Sequence, residues 1–125
     1  MPNLNEISIS ALSFIGDAVY SLMIRTRLLE ETNRKASALH KMTLEYVNAD
    51  AQAAAYTQIK PFLTEDEQNI FKRGRNSQVV NNTKKSTLPA YKTATGLEAL
   101  FGYLYLINQN ERLEELLDMI LSQTK

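Results

Sequence analysis

The sequence predicts an all-α protein of about six helices. Two observations carry this. No stretch of useful length alternates apolar and polar residues as a half-buried strand would. Apolar residues recur instead at helical spacing, between recognisable caps and breakers. A third observation bounds the size. The chain has 125 residues, which predicts one domain over residues 1–125. A chain of that length can bury about two-thirds of its unfolded surface and needs neither metal nor disulfide to fold.

The first helix is expected over residues 8–29, a long and almost wholly apolar run. A second starts near Lys35 and carries Leu39, Met42, Leu44 and Val47. A third, residues 49–59, is alanine-rich and stops at Pro61, because proline disfavours helix in the residue before it. The fourth opens on Thr64-Glu65-Asp66-Glu67, a capping box in which threonine and glutamate each satisfy a backbone N–H. It is expected to end at Arg73 and Gly74, glycine being a common terminator. Residues 76–89 read as a polar, asparagine-rich loop closing at Pro89. The fifth helix is expected over residues 91–108. Asn110 is expected to cap a sixth, whose Leu113, Leu116, Leu117 and Ile120 form one apolar stripe.

Composition removes several kinds of chemistry. There is no cysteine, so a disulfide scaffold, a zinc-thiolate site, an iron–sulfur cluster and a cysteine nucleophile are excluded. A single histidine cannot build a multi-histidine metal site within one chain. The first residues show no basic segment before an apolar run, so no signal peptide is expected. Serines, tyrosines and a charge inside the apolar windows argue against a membrane span. A cytoplasmic protein is the expectation. The 14 basic and 14 acidic side chains balance, but they are segregated. Between Gln68 and Leu97 there is no acid, while Lys72, Arg73, Arg75, Lys84, Lys85 and Lys92 all fall there. Such a stretch can present a positive face to an anion.

Two acids stand out. Asp17 is the only charge in residues 7–24, and Glu98 is the only charge in residues 93–110. Both helices are apolar around most of their circumference, so both are expected to be central. An ionised carboxylate there is costly unless paired or bound to a metal. Gly16, Ala18, Thr95 and Gly102 flank the acids and are expected to leave room for an ion, water or a substrate backbone. One reading makes each acid partly exposed, or paired with an arginine such as Arg25. The other joins them in one site, where two carboxylates plus water and a phosphate oxygen suit Mg²⁺. Residue chemistry alone thus reaches Mg²⁺-dependent phosphodiester chemistry. It leaves open a non-catalytic helical RNA-binding or ribosome-associated module, and a protein-interaction domain with structural acids.

The segment Leu12-Ser13-Phe14-Ile15-Gly16-Asp17-Ala18-Val19 resembles the signature helix of the ribonuclease III endonuclease domain. Glu98-Ala99-Leu100-Phe101-Gly102-Tyr103-Leu104-Tyr105-Leu106 resembles that domain's second acidic helix. Arg73-Gly74-Arg75-Asn76, Leu39-His40 and Gln52-Ala53 resemble the same family, and the similarity spans residues 8–108. With no residues over for a double-stranded RNA-binding domain, the resemblance is to the Mini-ribonuclease III branch. It implies a single ribonuclease III-type endonuclease domain that hydrolyses double-stranded RNA with Mg²⁺ and matures the large-subunit (23S) ribosomal RNA precursor. It implies catalytic metal ligands at Asp17 and Glu98, and a homodimer through the signature helix. Larger members carry two further acids where this chain has Ser13 and Thr95. For RNA contact the candidates are Arg73, Arg75, Asn76, Lys84, Lys85 and His40. The basic and amide side chains suit phosphates and 2′-hydroxyls, the features by which duplex RNA is mostly recognised. A solvated helix end for the basic cluster, and a structural role for His40, are the simpler alternatives.

Overall fold

A computed structural model describes residues 3–77 and 87–122. The described residues form six α-helices, two short 3-10 turns and no strand. The helices are α1 (Ile9–Thr32), α2 (Ala36–Leu44), α3 (Ala49–Ile59), α4 (Glu65–Arg75), α5 (Leu88–Leu106) and α6 (Asn110–Ser122), with the 3-10 turns at Leu4–Glu6 and Lys60–Phe62. No helix among the described residues is long and apolar enough to cross a membrane.

Most helix ends are set by local chemistry. Ser8 accepts from the Ala11 N–H at 3.1 Å and starts α1. That helix runs past residue 29 to Thr32, because Asn33 supplies the left-handed turn (φ 46°) and returns its N–H to the Leu29 carbonyl. Asparagine tolerates this conformation better than most residues. Asn48 caps α3 through the Ala51 N–H at 2.8 Å, and Pro61 falls in the 3-10 turn that follows. The capping box at Thr64 and Glu67 is formed on both sides. Helix α2 is shorter than expected and ends before Val47. The fifth helix starts three residues earlier than expected. Thr87 caps it and Pro89 lies inside its first turn, where a missing N–H loses no helical bond. Asn110 is the first residue of α6 rather than its cap; the Gln109 carbonyl accepts from the Leu113 N–H at 3.0 Å.

Helix α5 is the centre of the fold. It packs on α1, α3, α4 and α6. Its buried residues include Ala94, Gly96, Leu97, Ala99, Leu100, Phe101, Gly102 and Leu104, which surround the axis. The expectation that α1 is equally central fails. Its buried residues, Leu12, Ser13, Gly16, Val19, Tyr20, Ile24 and Leu28, form one stripe. Phe14 and Leu22 on the opposite side are 77% and 65% exposed. The stripe of α6 is buried as expected, each leucine or isoleucine contributing about 1.5–3 kcal/mol. Arg112 then pins α6 to α4. It donates to both carboxylate oxygens of buried Glu67, each at 2.8 Å, and to the Phe62 carbonyl at 2.8 Å. Burial by itself would raise the Glu67 carboxyl. The hydrogen bonds from Arg112 and Thr64 outweigh it and hold the group below the usual carboxylate value.

Candidate active site

The site begins with two glycines. A Cβ on Gly16 would lie 1.5 Å from the Glu98 carbonyl oxygen, and one on Gly102 would lie 2.1 Å from the Leu12 carbonyl oxygen. No side chain fits at either position, so α1 and α5 touch backbone to backbone. The room expected beside these small residues is therefore filled by the facing helix. The Ser13 hydroxyl donates to the Thr95 carbonyl across the same seam at 3.1 Å. Tyr20 meets Phe101 edge to face, with ring centroids 4.9 Å apart at 71°.

This crossing decides where the acids go. Asp17 follows Gly16 on α1, and Gly16 lies against the backbone of Glu98 itself. The Asp17 carboxylate lies close enough for its charge to act on the Glu98 carboxyl. Burial raises the Glu98 carboxyl most, the neighbouring Asp17 charge raises it further, and it stands at about 8. Two carboxylates this close cannot both ionise freely, so at neutral pH the pair retains a proton. Burial likewise raises the Tyr20 phenol, and the Glu98 charge adds to it.

No lysine or arginine neutralises the pair among the described residues. Arg25, the sequence's nearest candidate, turns its Nε to the Ser21 hydroxyl at 3.2 Å. Arg27 is held by Glu114 and Asp118 on α6, at 2.7 and 2.6 Å. The side chain that does reach Glu98 is Gln52 of α3, whose Nε2 donates to Oε2 at 3.3 Å. It is 4% exposed. Reading the sequence missed this role. Gln52 stood out only through the Gln52-Ala53 resemblance, and its register is the sole other signal: a glutamine four residues after the Asn48 cap, in a run of alanines.

The positions that carry acids in larger ribonuclease III members are engaged with backbone. Ser13 donates to Thr95, and the Thr95 hydroxyl donates to the Tyr91 carbonyl at 3.0 Å. Among the described residues no cluster of three or more His, Cys, Asp and Glu side chains is formed. Two adjacent carboxylates without a cationic partner, beside a neutral amide, nevertheless suit a hard divalent cation that keeps much of its water. Asp17 and Glu98 are the residues that would hold it.

Arg73, Arg75 and Asn76 lie exposed at the end of α4. Arg75 lies over the Phe71 ring, 5.9 Å from its centroid, and donates to Asn76 Oδ1 at 3.2 Å. Gly74 does not terminate the helix as expected. It is buried within α4, where a Cβ would meet Ala99 Cβ at 2.7 Å and Gly96 Cα at 2.9 Å. That contact docks the basic end of α4 on residues 95–99 of α5, the stretch that carries Glu98. Neither arginine forms an ion pair with the two acids. His40 is exposed on α2, and its side chain makes no hydrogen bond to a described residue. Lys84 and Lys85 lie outside the described residues.

Comparison with known proteins bears on this geometry. Residues 10–109 match the family described as Ribonuclease III domain. The chain is 46% identical over 114 residues to the Mini-ribonuclease 3 of Thermoanaerobacter sp. (strain X514), covering 91% of this chain and 80% of that protein. It is 39% identical over 121 residues to the Mini-ribonuclease 3 of Clostridium tetani, covering 96% and 80%. The X-ray crystal structure of a Fusobacterium nucleatum protein superimposes with a TM-score of 0.87 at 29% identity, over 100% of both chains.

Proposed function

The chain belongs to the ribonuclease III domain family, in its Mini-ribonuclease 3 branch, and is an endoribonuclease; from that premise we propose that it cuts both strands of double-stranded RNA at a Mg²⁺ site held by Asp17 and Glu98. One observation carries this reading. The Gly16–Gly102 crossing brings two acids from distant segments together, half-buries one of them and leaves them without a basic partner among the described residues. An enzyme that only needed a stable helix crossing would gain nothing from that pair.

When bound, Mg²⁺ supplies positive charge for the phosphate in the transition state and acidifies a water. The chain's own groups do the rest. Asp17 is exposed and open to an incoming phosphate, while Glu98 is half-buried and accepts from Gln52. Asp17 and Glu98 would hold the cation as ionised carboxylates, so the proton that the pair retains would have to leave on binding. The basic end of α4, docked on the Glu98 segment of α5, holds the flanking phosphates through Arg73 and Arg75. Asn76 adds contacts to phosphate or 2′-hydroxyl. Lys84, Lys85 and His40 extend this RNA-binding set. Such contacts read duplex shape and backbone rather than sequence.

One chain supplies one site, and a duplex has two strands. A homodimer provides a second, oppositely directed site by two-fold symmetry. The exposed side of α1, with Phe14, Ala18 and Leu22 at four-residue spacing, is an apolar surface that a second copy would cover. Family membership supports the 23S ribosomal RNA precursor as the substrate, and with it a cytoplasmic location.

The test is incubation with long duplex RNA, with and without Mg²⁺, followed by a gel. The wild type should cut only with Mg²⁺. Asp17→Asn and Glu98→Gln should fold, bind the duplex and leave it intact. Cutting by Asp17→Asn at near the wild-type rate would sink the assignment, and binding without Mg²⁺-dependent cutting by the wild type would favour a non-catalytic RNA-binding module.

A further inference from the structure

We infer that Gln52 is a positioning residue of the metal site: its side-chain amide clamps one oxygen of Glu98 so that the carboxylate presents itself to the cation in one orientation. This rests on the reading of Glu98 as a metal ligand. Asp17 and Glu98 come from α1 and α5, and Gln52 adds a third wall from α3. That wall is rigid. Asn48 caps α3 one turn before Gln52, and Ala55 and Ile59 anchor it in the core one and two turns after. The hydrogen bond to Glu98 Oε2 is the only one that the Gln52 side chain makes among the described residues.

The choice of side chain carries the inference. A buried glutamine gives up solvation of its amide that leucine or methionine would not, so packing alone does not account for it. A lysine or arginine in its place would also orient Glu98, but it would neutralise the pair and compete with an incoming cation. An amide is the neutral donor that restrains a carboxylate without cancelling its charge. Removing such an outer partner of a metal ligand typically lowers metal affinity 10–100-fold.

The experiment uses Mn²⁺, bound to the RNA-free protein and followed by electron paramagnetic resonance. Gln52→Met keeps the length and removes the donor. It should melt within a few degrees of the wild type and bind Mn²⁺ about 10-fold more weakly. The Mg²⁺ concentration for half-maximal cutting should rise in proportion, with KM for duplex RNA unchanged and most of kcat recovered at saturating Mg²⁺. Wild-type Mn²⁺ affinity in Gln52→Met, with binding lost in Glu98→Gln, overturns the role of Gln52 and spares the site. Undiminished Mn²⁺ binding by Glu98→Gln overturns both. A second measurement needs no variant at Gln52. Its side-chain amide resonances in the wild type should shift as Mg²⁺ is added, and should not shift in Glu98→Gln; an unmoved resonance in the wild type overturns the inference.

Discussion

At the scale of single residues, Glu98 is the acid whose carboxyl is raised furthest among the described residues. Its carboxyl stands at about 8 in the folded chain against an ordinary 4.5, through burial and then the Asp17 charge. A carboxyl raised on folding binds its proton more tightly in the native state. Its contribution to stability is complete below the ordinary value and is lost as pH rises through the folded value. Metal-free wild type should therefore lose melting temperature between ~pH 5 and ~pH 8.5, and Glu98→Gln should lose much less. Equal pH slopes in the two proteins would show that Glu98 ionises as an ordinary surface acid. Arg73 and Arg75 are the converse case, exposed and unpaired among the described residues. Changing both to Gln should weaken binding to every duplex sequence alike. It should reduce the slope of log affinity against log salt by about two units at most. An unaltered slope in a filter-binding titration would turn this end of α4 away from the RNA.

At the scale of elements, the α1–α5 crossing joins fold and function. Its closeness depends on Gly16 and Gly102, where any Cβ would overlap the facing carbonyl. Overpacking of this kind costs about 1–3 kcal/mol and occasionally more. Gly16→Ala should lower the melting temperature by several degrees and, in the protein that still folds, cut kcat sharply as Asp17 and Glu98 part. Glu30→Gln, exposed near the far end of the same helix, should do neither. Full activity in Gly16→Ala would mean that the acids do not depend on the crossing. The sequence marked Gly16 and Gly102 as small neighbours of the acids, and that was correct as far as composition goes. What it could not show is that the space belongs to the partner helix, because periodicity locates a face but says nothing of which backbone meets it. Gly74 teaches the same lesson. Its place after a basic run resembled a helix end, whereas close packing on α5 is what demands it there.

At the scale of the whole molecule, the departure of α1 from a fully buried helix has the largest consequence. Phe14 and Leu22 on its outer side stay open in the single chain, and covering them is the work assigned to a second copy. Sedimentation at micromolar concentration should give about 28 kDa, twice the 14.2 kDa of one chain. Phe14→Glu with Leu22→Glu should shift the protein to the mass of one chain and reduce double-strand cutting far more than overall fold, which circular dichroism reports. A wild type that sediments as one chain and still breaks both strands would refute the symmetry argument.

The sequence by itself determined the helical class, the order of the six helices, and the two acids that stand alone in apolar runs. These are local properties: helical period, caps and the cost of an isolated charge can be read without knowing what lies opposite. Helix ends were less secure where two signals competed, as at Thr87 and Pro89, since a proline can close a loop or open a helix. Only the tertiary structure decided that Asp17 and Glu98 form one pair, that Arg25 turns to Ser21 instead, and that Ser13 and Thr95 spend their hydroxyls on backbone. Only it brought Gln52 from α3 to Glu98, across 46 positions of sequence. The reason is that proximity between distant segments is settled by which helix faces fit together, and here two glycines without side chains allow the fit that no pattern along the chain expresses.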